Sequence, residues 1–83
     1  GAMKPDSIRA AFLAALTEVA PEIDPGTLAG SEHLQEDLEL DSMDILNLVA
    51  ALHARLGVNV PEADYPRIAT PDRAVAYLAE RIG

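Results

Sequence analysis

The chain has 83 residues and a formal net charge of −8, with 14 acidic residues against 6 lysines and arginines. A chain this short builds one hydrophobic core, so we expect these 83 residues to form a single domain. It has no cysteine, which excludes disulfides and thiolate metal sites. Its acidity disfavours nucleic acids and anionic membranes as partners and favours basic protein surfaces.

The sequence shows neither a predicted membrane span nor a predicted signal peptide. No apolar run reaches the roughly 18 residues of a membrane span, and segment 10–16 is too short and poorly flanked for a signal peptide. We therefore expect a cytoplasmic protein that does not insert into membranes. We also expect it to be a monomer. Residues 1–3 read as a cloning remnant, which leaves 4–83 as the single domain.

The first predicted helix covers about residues 5–20, because Pro5 and Asp6 suit a helix start. Apolar side chains then recur at helical spacing. They are Ile8, Ala11, Phe12, Ala15, Leu16 and Val19.

Segment 21–40 contains prolines and glycines that interrupt regular structure. It also carries large apolar residues, namely Ile23, Leu28, Leu34, Leu38 and Leu40. So many apolar side chains predict a long loop held against the core, and loops of this length are often functional.

A second helix is predicted from Asp41 or Ser42 to Leu56, where Gly57 ends it. One face provides a core stripe of Ile45, Leu48, Val49, Leu52 and Leu56. A second apolar stripe, made of Met43, Leu46, Ala50 and His53, points elsewhere. Because a small bundle cannot cover both faces, we interpret the second stripe as a partner-facing surface.

The last third of the chain predicts a short helical turn over 62–65, ended by Pro66. Thr70 as N-cap and Pro71 as first helical residue then open a final helix. Its predicted buried stripe is Val75, Leu78 and Ile82, with Tyr77 to one side. The predicted fold is all-α, with three main helices and one short helix.

Nine of the fourteen acids lie between the consecutive bases Arg9 and Arg55. A run of this kind is either a solvated face or a surface for basic partners.

Metal and hydrolytic chemistry find little support. Segment 37–41 imitates the start of a calcium loop, but Ser42 and Leu48 stand where glycine and glutamate are needed. His53 lies about 16 Å along the helix from Ser42, which excludes a dyad. His33 is not excluded by distance, although no orienting acid or oxyanion hole accompanies it. We expect no catalytic residue, no metal site and no enzyme activity.

The remaining motif is Asp41-Ser42-Met43-Asp44, which opens the second helix. Serine in this position is commonly only a helix cap. Here it follows an acidic, leucine-rich loop and precedes a helix with two apolar faces. The sequence at this point resembles the acyl carrier protein family, and the resemblance covers essentially all of residues 4–83. The shared positions before the Asp-Ser motif are Leu34, Asp37, Leu38 and Leu40. A Val-x-Val-Pro segment follows the second helix at 58–61.

The resemblance implies a small acyl-carrier-like helical bundle in which Ser42 carries 4′-phosphopantetheine from coenzyme A. The arm would hold acyl or aminoacyl intermediates as thioesters. The implied partners are a phosphopantetheinyl transferase, an acyl- or aminoacyl-loading enzyme, and a downstream synthase or transferase. The alternative is an acidic helical interaction module in which Ser42 is only a cap.

The resemblance also suggests where partners and cargo lie. The docking residues would be Asp37, Asp41, Met43, Asp44, Leu46 and Ala50. An acyl chain could shelter between the second helix and segment 65–68.

Some positions depart from the family pattern. Asn47, His53 and Arg55 stand where typical fatty acid carriers have acids, Met43 replaces a leucine, and Pro66 shortens the third helix. These departures favour a specialised pathway over housekeeping fatty acid synthesis.

Overall fold

The computed structural model describes residues 3–82. It contains three α-helices, α1 (Pro5–Val19), α2 (Ser42–Leu56) and α3 (Pro71–Ile82), and one 3₁₀ helix (Glu62–Ile68). The described residues form no strand, so the predicted all-α fold is confirmed. Residues 1 and 2 of the predicted cloning remnant lie outside the described range, whereas Met3 packs on the core.

Helix α1 packs against both α2 and α3, and the 3₁₀ helix packs on α3. The predicted inward stripes meet in this core, with Phe12, Leu16, Leu48 and Leu78 fully buried. Val49, Leu56 and Ile82 lie at its margin and are half-buried. Most of the buried residues are aliphatic, and Phe12 and Tyr77 are the two large aromatic side chains among them.

The long loop between α1 and α2 is held against the core, as predicted. Leu34 is fully buried, and its N–H donates to the Ala69 carbonyl at 2.9 Å. Further along, the N–H of Asp72 donates to the Gly30 carbonyl at 3.0 Å. These bonds tie the loop to the start of α3.

A short helix begins at Glu62, as predicted, but the prediction that Pro66 ends it is wrong. The 3₁₀ helix continues through Pro66 to Ile68. Proline fixes φ near −65°, which a 3₁₀ helix accepts, and its missing N–H removes only one bond from a short element. The Pro66 carbonyl still accepts from the N–H of Ala69 at 3.4 Å.

Tyr77 does not lie to one side of the core, and its predicted placement is corrected. Its side chain is 1% exposed because the 3₁₀ helix covers that face of α3. The hydroxyl donates to Asp64 Oδ2 at 2.7 Å, which satisfies the polar end of a buried ring. The guanidinium groups of Arg67 and Arg81 lie 4.8 Å and 5.0 Å from the ring centroid.

Within residues 3–82, no helix combines the length and apolar character that crossing a membrane requires.

Candidate functional site

Ser42 is the first residue of α2, and the residue that caps this helix is Asp41. The Asp41 carboxylate accepts from the N–H of Asp44 at 2.9 Å, and the Asp44 carboxylate accepts from the N–H of Asp41 at 3.1 Å. This reciprocal capping box satisfies the helix start without Ser42. The alternative interpretation of Ser42 as the helix cap is therefore wrong.

The Ser42 side chain is exposed. Among residues 3–82 its hydroxyl forms no side-chain hydrogen bond, so the oxygen stays available at the helix start. An exposed, unengaged hydroxyl is what a modifying enzyme needs to reach.

The backbone before Ser42 makes a left-handed bend. Glu39 has φ 61°, a conformation that side-chain-bearing residues rarely adopt. The next residue, Leu40, is buried, and its N–H donates to the Leu34 carbonyl at 3.1 Å. The bend therefore immediately precedes Leu40, which is held in the core two residues before Ser42.

The second apolar stripe of α2 lies on the surface, as predicted. Met43 is 63% exposed and Leu46 is 51% exposed. Ala50 and His53 continue the same exposed face. Met43, Leu46 and Ala50, called the apolar patch below, are available for contact with another protein.

Three of the predicted docking acids also hold the local backbone. Asp41 and Asp44 form the capping box, and the Asp37 carboxylate accepts from the N–H of His33 at 2.8 Å. These bonds fix the positions of the three carboxylates. Negative charge at a helix start also interacts favourably with the helix dipole.

A cavity of about 390 Å³ opens beside Ser42. It lies between α2, the long loop, the 3₁₀ helix and the start of α3. Its lining includes Ile45 and Leu46 from α2, Tyr65 and Ile68 from the 3₁₀ helix, and Arg73 from α3. The cavity occupies the place where the sequence predicts an acyl shelter.

His33 also lines this cavity, but its geometry is unsuited to a hydrolase. Its Nδ1 accepts the N–H groups of Gln35 and Glu36 at 3.2 Å and 3.1 Å. A neutral imidazole whose Nδ1 accepts carries its proton on Nε2, so Nε2 cannot take a proton from a serine. His33 closes a turn of the loop instead.

The described part of the chain holds no group of three or more histidine or acidic side chains placed to bind a metal ion.

Comparison with known proteins identifies the class. The family described as "Phosphopantetheine attachment site" matches residues 6–78. The chain therefore belongs to the phosphopantetheine-binding family of acyl carrier proteins. Members of this family carry covalently attached 4′-phosphopantetheine, and they are carriers rather than catalysts, in agreement with the expected lack of enzyme activity.

Among its relatives is the "Acyl carrier protein, mitochondrial" of Neurospora crassa, 28% identical over 94% of this chain and 58% of that protein. The "Acyl carrier protein" of Rubrobacter xylanophilus is 31% identical over 70% of this chain and 72% of its own length. The "Acyl carrier protein 2, mitochondrial" of Arabidopsis thaliana is 33% identical over 70% of this chain and 46% of its own length. The match thus spans about half the length of the two mitochondrial relatives.

Arg73 lines this cavity, and the sequence patterns did not predict it there. A base in the first turn of a helix opposes the helix dipole, and that mismatch was the available signal. Its position beside the cavity depends on tertiary packing.

Proposed function

We propose that Ser42 is the residue that carries 4′-phosphopantetheine and that the chain presents acyl or aminoacyl intermediates to partner enzymes. The observation that carries this proposal is the exposed hydroxyl of Ser42, which the Asp41 and Asp44 capping box leaves free. When bound, the arm supplies a terminal thiol that holds cargo as a thioester.

The residues around Ser42 fit a covalently attached anion. The start of α2 favours a nearby negative charge by about 0.3–1 kcal/mol. Asp41 and Asp44 oppose it by charge repulsion. Because the two effects offset each other, we infer that the covalent bond holds the arm and that the acids serve partner recognition.

We propose that the apolar patch and the three acids around it form the docking surface. Met43 and Leu46 offer exposed apolar area, and the carboxylates of Asp37, Asp41 and Asp44 would supply the negative charge. A partner with an apolar spot inside a basic rim is complementary to this surface. Such charge complementarity speeds encounter and selects partners. The partners would be the phosphopantetheinyl transferase, the loading enzyme and a downstream synthase or transferase.

We also propose a specialised pathway over housekeeping fatty acid synthesis. Asn47, His53 and Arg55 are exposed on α2, so this surface is less acidic than the family pattern. Arg55 additionally pairs with Glu18 of α1 at 3.1 Å. Loading assays with fatty acyl, polyketide-type and aminoacyl-activating enzymes test this proposal. Loading by the fatty acid enzymes alone would contradict a specialised pathway.

The cytoplasmic location and the monomeric state stay predictions. Two relatives are named as mitochondrial proteins, so a mitochondrial location is the competing proposal. Cell fractionation of the native protein decides between the locations, and sedimentation analysis measures the oligomeric state.

The attachment site is tested by incubation with coenzyme A, magnesium and a broad-specificity phosphopantetheinyl transferase, followed by mass spectrometry. The wild type should gain one phosphopantetheinyl group, and Ser42→Ala should gain none. Ser31→Ala, which removes another exposed serine, is the matched control and should gain the group. An unmodified wild type would instead support the acidic interaction module.

A further inference from the structure

We propose that Arg73 binds an anionic group carried on Ser42. That group is either the phosphodiester that joins the arm to the serine or a carboxylate at the far end of a short acyl cargo. The inference rests on the proposed function of Ser42 and adds a residue that recognises charge in the attached group.

Arg73 and Ser42 come from different helices but line the same cavity. Arg73 lies in the first turn of α3, where its backbone N–H donates to Thr70 Oγ1 at 3.2 Å. The loop bonds to Ala69 and Asp72 hold this end of α3 against the cavity. The backbone at Arg73 and in the residues just before it is thus held in place.

Within residues 3–82, Arg73 differs from the other arginines because it forms no ion pair. Each of the others contacts a carboxylate. The pairs are Arg9 with Asp72, Arg55 with Glu18, Arg67 with Glu80, and Arg81 with Asp64. The acid next to Arg73 in sequence, Asp72, is engaged by Arg9 at 2.5 Å. The guanidinium of Arg73 is therefore available to a ligand.

Helix stability does not account for Arg73. A cation in the first turn of a helix interacts unfavourably with the positive end of the helix dipole. Without an acidic partner, this position gains nothing from its charge in the structure. An anion bound to Arg73 would offset this unfavourable interaction with the helix dipole.

The cavity suits a short acyl group with a charged end. Its apolar wall includes Ile45, Leu46 and Ile68, and its only charged lining residues among those described are Glu62 and Arg73. A volume of about 390 Å³ holds on the order of a dozen water-sized groups. Arginine contacts carboxylates and phosphates through two parallel N–H donors, which gives the contact direction as well as charge.

The test compares three loaded forms of the chain. Coenzyme A, butyryl-coenzyme A and succinyl-coenzyme A are used with the transferase to make the holo, butyryl and succinyl forms, and mass spectrometry verifies each. Butyryl and succinyl groups have the same chain length and differ by the terminal carboxylate. If no form acquires mass, the proposed function has failed at this first step, separately from the role of Arg73.

The readout is nuclear magnetic resonance of the Arg73 Nε–H and of the backbone amides of Ile68 and Ala69. A carboxylate contact should slow exchange of the Arg73 Nε–H roughly two- to fivefold in the succinyl form alone, the size expected for an exposed ion pair. A phosphodiester contact should slow it equally in all three forms relative to the unmodified chain. Either effect should weaken with added salt.

Arg73→Gln removes the charge and should reduce the amide shifts that the contact causes. For a carboxylate contact these are the shifts between the butyryl and succinyl forms, and for a phosphodiester contact they are the shifts between the unmodified chain and all three loaded forms. Arg67→Gln, which removes a charge outside this cavity lining, is the control and should retain them. Unchanged Nε–H exchange in every loaded form, or identical amide shifts in wild type and Arg73→Gln, would overturn the proposal.

Discussion

Asp41 and Asp44 cap α2 by exchanging hydrogen bonds, with each carboxylate accepting the backbone N–H of the other at 3.1 Å or less. Ser42 lies between them in sequence and contributes nothing to the cap. The residue that stabilises the helix start and the residue proposed for modification are therefore different, and they can be altered separately.

Asp41→Ala should lower the free energy of unfolding by about 1 kcal/mol, because it removes the cap acceptor of the Asp44 N–H. Ser42→Ala should change it by less than about 0.5 kcal/mol, because the serine is exposed and alanine favours helices. Urea unfolding of both variants measures the difference. Equal losses would contradict the division of roles between the two residues.

Gly30→Ala should destabilise the fold through Asp72. A Cβ at position 30 would clash with the Asp72 carboxylate, so the carboxylate would have to shift and its ion pair with Arg9 would be disturbed. We expect a loss of about 1 kcal/mol, since an exposed ion pair and a local shift are involved.

The Asp72→Ala background tests the cause of that loss, because it removes the obstructing carboxylate. Gly30→Ala should then cost less than half as much, and a double-mutant cycle from urea unfolding measures the coupling. Gly26→Ala, with its nearest contact at 3.2 Å, is the matched control. Full additivity would exclude the clash as the cause.

Glu39 should tolerate glycine and resist a β-branched residue, because its φ is 61°. Glu39→Val should cost about 1–2 kcal/mol for the left-handed backbone. Glu39→Gly relieves that strain but gains unfolded-state entropy, so its stability should stay within about 0.5 kcal/mol of wild type. Chemical unfolding compares them with Glu36→Val, an exposed loop glutamate without positive φ, which should lose little.

Tyr77 should make the fold sensitive to alkaline pH. Burial of the ring, together with the hydrogen bond to Asp64, raises the pKa of Tyr77 above its ordinary value of 10.0. The folded state therefore holds this proton more tightly than the unfolded state. Its contribution to stability is complete below about pH 10 and is lost as the pH rises through the higher folded-state pKa.

Tyr77→Phe should remove this alkaline decline and cost about 1 kcal/mol near neutral pH through the lost hydrogen bond. Unfolding free energies measured across the alkaline range test both effects, with Tyr65→Phe as the matched control. A decline in Tyr77→Phe as steep as in wild type would assign the sensitivity to other groups.

Leu46 and Leu48 lie on opposite faces of α2. Substitutions at these two positions should therefore affect docking and folding separately. Leu46 is 51% exposed and Leu48 is 0% exposed. Leu46→Ser should lower kcat/KM of phosphopantetheinyl transfer roughly five- to tenfold, with stability changed by less than about 0.5 kcal/mol.

Leu48→Ala should instead cost about 2–5 kcal/mol of stability through the cavity it leaves. Transferase kinetics and urea unfolding on the same preparations provide the comparison. If the transferase modified Leu46→Ser with the kcat/KM of wild type, the apolar patch would not be the surface that the transferase contacts.

The three main helices and the outward stripe of α2 were predictable from local sequence patterns. Prolines at helix starts, the acidic cap and Gly57 act on backbone groups within a few residues, so their effects are readable locally. The position of Ser42 at the head of a two-faced helix was predictable for the same reason.

The surroundings of that serine depend on packing between distant segments of the chain. The 3₁₀ helix buries Tyr77 and continues through Pro66, and the loop bonds at Gly30 and Leu34 hold the start of α3 beside the cavity. These contacts join residues far apart in the chain, and the periodicity of apolar residues does not predict such contacts. Arg73 therefore joins Ser42 at one cavity through loop closure and packing, while its own local sequence shows only a base placed against a helix dipole.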